Sequence, residues 1–285
     1  MSLLIITILC SLAASKVIVQ GKFSKSLIQN DADTLFFNTG VFLTTAIIFC
    51  WKIIGCSPEI IPYSLIIAIL TIAFQFFYTK SLTTGNVSVI VLIINLSMII
   101  PTLFSYFFYN ESLSLPRIIG IAFTIVALVL CPAQNNKKTS DKKWLILALL
   151  ASISTSGISV TQKIFNSTYL APQKEAFLAI SYVFAFVFSL ILLAIMKTKG
   201  TKPTIKLEKR YFISASLIGI ILAVHGWLTN YSITVIEGTL LFPFSCGGTI
   251  LLSTIVGVVL FKDKLTPKQI LGVIFGIVAV VLMNF

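Results

Sequence analysis

A chain of 285 residues that is 57% hydrophobic and only 11% charged lacks the polar surface to face water on all sides, since a soluble domain carries roughly 25% charged residues. Its net charge of +12 does not mark a nucleic-acid binder, because the basic residues sit in short breaks between apolar runs. Five scattered cysteines (Cys10, Cys50, Cys56, Cys131 and Cys246) have no CxxC spacing and give no sign of a disulfide framework or a metal site.

Runs of the length that crosses a bilayer, about 20 residues, fall at 2–21, 34–52, 60–82, 86–108, 114–132, 144–165, 176–196, 211–235, 238–261 and 266–284. These predict an all-α integral membrane protein with ten transmembrane helices. The first run, "MSLLIITILCSLAASKVIVQG", has a small-residue site at Ala13, Ala14 and Ser15 but no basic leader. It is therefore expected to stay as the first helix. The longest polar breaks, "AQNNKKTSDKK" and "KTKGTKPTIKLEKR", are too short for a soluble domain.

The fifth and tenth runs say the same thing twice. "ESLSLPRIIGIAFTIVALVL" from Glu111 and "DKLTPKQILGVIFGIVAVVL" from Asp263 match at nine of twenty positions without a gap. Weaker echoes set Gln20 against Gln162 and Phe23 against Phe165. The repeat unit is five helices, so the second copy enters the membrane from the opposite side. Residues 1–132 and 144–285 are then two inverted repeats joined by a polar linker at 133–143. Inverted repeats suit alternating access around a site near the midplane.

Ten spans in two five-helix halves, each closed by an acid–x–Leu hairpin with a glycine seven residues later, resemble the drug/metabolite transporter superfamily, and its EamA-like branch in particular. The resemblance covers essentially the whole chain and is strongest at 109–130 and 259–283. It implies a bundle with a central substrate cavity that moves small metabolites, often outward, across the plasma (inner) membrane. It implies a small-molecule substrate and the lipid bilayer as partners, with a proton or an exchanged substrate as the coupling candidates. No catalytic group, metal or cofactor is expected, and the oligomeric state is a monomer or weak dimer. The small multidrug branch carries a cation-binding glutamate in its first helix; here "CSLAASKVIV" has Lys16 and no acid.

Polar groups inside apolar runs are the candidate substrate ligands, because each is costly in hydrocarbon unless paired or hydrated. His225 falls near the middle of the eighth run, with Trp227 close by. Gln75 and Asn95 carry amides that need several partners. Gln162 ends a polar stripe on the sixth run, and Lys16 is the deepest lysine. The expected binding set is therefore Lys16, Gln75, Asn95, Gln162, His225 and Trp227. The excess of cations over acids tilts it toward an amino-acid-like, zwitterionic or anionic solute. Pro101, and Pro243 with Gly247 and Gly248, are candidate hinge positions, since proline removes a helical bond and glycine loosens the backbone.

Lysine and arginine divide sixteen to four between the two sides, with the majority opposite the termini. The positive-inside rule then puts both termini outside, against the family's usual orientation. Two other readings remain. A channel or a sensor without turnover would need filter loops or charged rings for conduction, and neither is visible. An intramembrane protease of the GxSG kind would need a glycine where "STSGIS" has Ser154.

Overall fold

A computed structural model of the chain describes residues 2–97, 99–109, 114–130, 143–235 and 238–282. Among the described residues there are eleven α-helices and no strand: α1 (Ser2–Leu27), α2 (Asp31–Phe49), α3 (Ile61–Thr84), α4 (Val87–Leu96), α5 (Ile99–Tyr109), α6 (Leu115–Leu130), α7 (Lys143–Asn166), α8 (Lys174–Thr198), α9 (Lys209–Val235), α10 (Gly238–Leu260) and α11 (Pro267–Leu282). Each expected run is occupied by helix, and the fourth contains both α4 and α5. Seven stretches are long and apolar enough to cross a membrane: Leu4–Leu27, Asp31–Lys52, Pro58–Thr84, Val87–Phe108, Lys143–Asn166, Ala171–Thr198 and Lys209–Thr229. Three shorter apolar helices lie at Ile118–Ala127, Gly247–Leu260 and Pro267–Ala279.

Local chemistry fixes several helix starts. Asn30 and Asp33 form a reciprocal capping box that opens α2, satisfying amides that have no partner within the helix. Thr266 and Gln269 do the same for α11, at 2.9 and 3.3 Å. Gly85 ends α3 in extended backbone, where an added Cβ would meet Ile90 at 2.7 Å and Trp144 at 2.9 Å.

The helices pack as two outer pairs, α2 on α8 and α6 on α11, with α1, α3, α4, α7, α9 and α10 between them. Exchanging α1, α2, α3, α4 and α6 for α7, α8, α9, α10 and α11 maps the three largest cross-half contacts outside the outer pairs onto other observed contacts. Thus α3–α7 becomes α1–α9, α2–α9 becomes α3–α8, and α1–α10 becomes α4–α7, whereas the α1–α3 contact has no comparable counterpart between α7 and α9.

Aromatic packing repeats the exchange. Phe23 of α1 stacks on Phe37 of α2 at 3.9 Å, and Tyr211 at the start of α9 lies 6.5 Å away. Phe165 of α7 stacks on Phe177 of α8 at 4.1 Å, and Tyr63 at the start of α3 lies 5.6 Å away. Directions follow from the pairing. Lys16 and Gln20 bond to Gln75 and Thr79 at a constant offset, so α1 and α3 run parallel. Phe165 meets Tyr63 while Gly157 meets Leu70, so α3 and α7 run antiparallel.

One end of the bundle gathers the segments around 22–33, 80–88, 201–210 and 261–264. There Lys80 pairs with Asp31, and buried Asp33 accepts from Thr204 N and Ile205 N at 2.6 and 3.2 Å. Asp263 accepts from Ser88 N at 3.0 Å, with Lys25 3.9 Å away. The other end holds Lys52 against Glu175 at 2.5 Å, Ser57 N against Gln173 at 2.7 Å, and Tyr169 against Glu59.

Candidate functional site

Lys16 does not run along α1 toward a membrane surface. Its ammonium turns across to α3 and donates to Gln75 Oε1 at 3.2 Å. It sits 5.1 Å from the ring centre of Phe74 and 5.4 Å from that of Tyr78. Such ring faces attract a cation. His225 of α9 lies within electrostatic reach of the same ammonium. None of the ion pairs among the described residues brings a carboxylate to Lys16. A desolvated cation without a counter-charge is the kind of group an anionic solute would complete.

The polar cluster continues one turn farther along both helices. Gln20 Nε2 donates to Thr79 Oγ1 at 2.6 Å, and Thr79 in turn donates to Asn38 Oδ1 of α2 at 3.2 Å. Gln20 and Thr79 are 0% exposed, and Asn38 and Gln75 are 1% exposed. This degree of burial makes every unmet hydrogen bond expensive.

Two of the six expected ligands, Lys16 and Gln75, are therefore in direct contact, and His225 is within electrostatic reach of the first. Asn95 is half-buried, and its Nδ2 donates back to Val91 O of its own helix at 2.8 Å. Gln162 is half-buried on α7. Trp227 is 49% exposed and stacks on Tyr231. It continues the exposed stripe of Ile213, Leu217, Ile220 and Val224, which is the outer face of α9.

Among the hinge candidates, Pro101 is half-buried in α5, and the side chain of Pro243 lies outside the described residues. α10 runs as one helix through Gly247 and Gly248. A Cβ at Gly248 would come within 2.6 Å of Cys10 Sγ, so this glycine permits close contact with α1, while nothing lies within 4 Å of one at Gly247.

Sequence reasoning missed Gln20, Asn38 and Thr79 as neighbours of the site. The signal was the four-residue spacing Lys16–Gln20–Ser24 and Gln75–Thr79, which puts each set on one helix face. Among the described residues no group of three or more histidine, cysteine or acidic side chains is placed to hold a metal ion. A groove lined by Lys80, Thr83, Thr84, Lys143, Ile146 and Leu147 lies beside the end of α3, apart from this cluster.

The long apolar helices and the polar cluster held inside them define a multi-pass helical membrane protein. The profile of the EamA-like transporter family matches residues 2–131 and again residues 142–285. The chain belongs to the EamA-like transporter family, within the drug/metabolite transporters, whose members are transporters and not enzymes. It is also similar to an uncharacterized protein of Methanocaldococcus jannaschii, MJ1333.1, at 29% identity over 97 residues, covering 34% of this chain and 71% of that one. One solved crystal structure superposes with a TM-score of 0.65 at 14% identity, covering 99% of this chain and 96% of its own. That likeness concerns the fold.

Proposed function

We propose that this protein is a secondary transporter of a small anionic or zwitterionic, amino-acid-like metabolite. It works by alternating access between two inverted five-helix repeats, 1–132 and 144–285, linked by 133–143 and making ten crossings in all. The observation that carries the substrate reading is the Lys16 ammonium, turned inward to Gln75 with no carboxylate paired to it among the described residues. The exchange of helix contacts between the halves and the opposed directions of α1 and α7 support the inverted repeat. Inverted halves give alternating access a structural basis, because each can adopt the other's conformation.

The expected setting is the plasma membrane, with export as the working direction. Both termini lie outside, since the basic segments gather at the end opposite them. Coupling runs through a proton or an exchanged solute.

The test is saturable uptake and counterflow in liposomes, using labelled amino acids, organic anions, nucleobases and sugars. Counterflow of one anionic or zwitterionic class, lost in Lys16→Met and reduced in the double variant His225→Ala/Asn95→Ala, supports the reading. Unsaturable conductance would point to a channel, and no flux from folded, inserted protein would point to a sensor.

A further inference from the structure

Four buried side-chain atoms without a hydrogen-bond partner crowd the α1–α2–α3 contact: Gln75 Nε2, Gln20 Oε1, Asn38 Nδ2 and Ser24 Oγ. Their residues are at most 1% exposed. Natural interiors leave few such groups unmet, so each one calls for an explanation. Amide orientation is normally an assignment rather than an observation, but here the count survives any choice. Lys16 pins Gln75, because turning that amide would set two donors face to face, so Nε2 stays free. Turning both Gln20 and Asn38 about Thr79 frees the opposite atom of each and again leaves one donor and one acceptor unmet.

The chemistry therefore divides into two adjoining zones. The Lys16 ammonium and the unmet Gln75 Nε2 are both donors, which suits a carboxylate. One helical turn away, about 6 Å, Gln20 and Asn38 offer one donor and one acceptor together. That pair matches a group carrying both, such as a primary amide. Gln20, Asn38 and Thr79 are all uncharged, so they offer a ligand ammonium no counter-charge.

We propose that Gln20 and Asn38, bridged by Thr79, form a second subsite beside Lys16 that reads an uncharged amide on a carboxylate ligand. The ligand class is then a monoanion bearing a primary amide two or three methylene groups from its carboxylate. This rests on the transporter reading for its purpose but not for its test.

The test measures equilibrium binding of tritiated glutaramate to the full-length protein in nanodiscs. Competition uses 5-methylhexanoate, the same shape with an isopropyl group in place of the amide. Wild type is expected to favour glutaramate by about tenfold or more, the usual effect of leaving a buried partner unmet. Gln20→Leu and Asn38→Leu should each bring the ratio toward one without lowering the melting temperature, while Lys16→Met should weaken both ligands alike. Equal affinities in wild type, or no binding of glutaramate, overturn the proposal. So does an unchanged ratio in Gln20→Leu with a lowered melting temperature, since the amide then serves packing alone. Counterflow of another solute class with a ratio of one would leave a transporter without this subsite. A high ratio without flux of any solute would leave the subsite without a transporter.

Discussion

In the proposed transporter, Lys16 is the side chain that would make an apolar helix a recognition element. Its ammonium has an amide oxygen and two ring faces for company, which replace only part of the hydration it gives up. Removing the charge should therefore relieve the bundle while disabling it. Lys16→Met is expected to hold or raise the melting temperature in nanodiscs and to cut uptake of an anionic substrate by at least tenfold, an effect of about 1.4 kcal/mol or more. A lowered melting temperature would mean that the lysine serves mainly in packing. Gln75→Leu is expected to weaken the same uptake, because it takes away both the oxygen that aims Lys16 and the free Nε2. Comparing the two variants in one uptake assay separates aiming from charge.

At the scale of elements, the repeated acid has a visible task in the second half. Asp263 lies between α10 and α11, just after Lys262 reverses the chain in a left-handed conformation, φ 55°. Its carboxylate reaches across to the first half and accepts from Ser88 N and Ser88 Oγ, at 3.0 and 3.2 Å, in the first turn of α4. A negative charge there meets the unpaired amides and the positive end of the helix. Asp263→Ala leaves Ser88 N buried and unmet, and leaves Ser88 Oγ only the longer bond to Thr254 O at 3.4 Å. It is expected to cost about 1.5–3 kcal/mol, read as a lower denaturation midpoint. Gly257 explains how the approach is so close, since an added Cβ would sit 2.7 Å from Asp263 Oδ2 and 3.1 Å from Ser88 N. Gly257→Ala should therefore destabilise by the same route, and combining it with Asp263→Ala should cost less than the sum of the two. Glu111, the matching acid of the first half, lies outside the described residues.

For the whole molecule, packing is more symmetric than chemistry. The aromatic triads Phe23–Phe37–Tyr211 and Phe165–Phe177–Tyr63 answer each other across the halves. The positions of Lys16, Gln20 and Ser24 on α1 correspond, through the Phe23–Phe165 match, to Ile158, Gln162 and Asn166 on α7. The lysine has no counterpart, so the buried charge belongs to one half while the frame is shared. The charge distribution carries a separate prediction about orientation. A cysteine introduced at Ile54, which is 88% exposed near the Lys52–Glu175 end, should react with an impermeant maleimide on intact cells. One at Lys202, near the opposite end, should react only after permeabilisation. The reverse pattern would turn the protein over in the membrane and leave its fold untouched.

Hydropathy and repetition, both local properties of the chain, determined the helical membrane class, the positions of the apolar runs and the family resemblance. A run must be apolar to cross lipid whatever it packs against, and a duplicated segment stays readable after its neighbours diverge. The face each polar side chain presents is a different matter, because it depends on which helix lies opposite. Trp227 and His225 are two residues apart, yet helical rotation sets Trp227 on the exposed outer stripe while His225 is half-buried and within electrostatic reach of Lys16. Gln20 looked like a mark of the repeat until α2 and α3 closed on it and made its amide part of a buried cluster. Only tertiary packing decides such cases, since contact between residues tens of positions apart leaves no period in the sequence to be read.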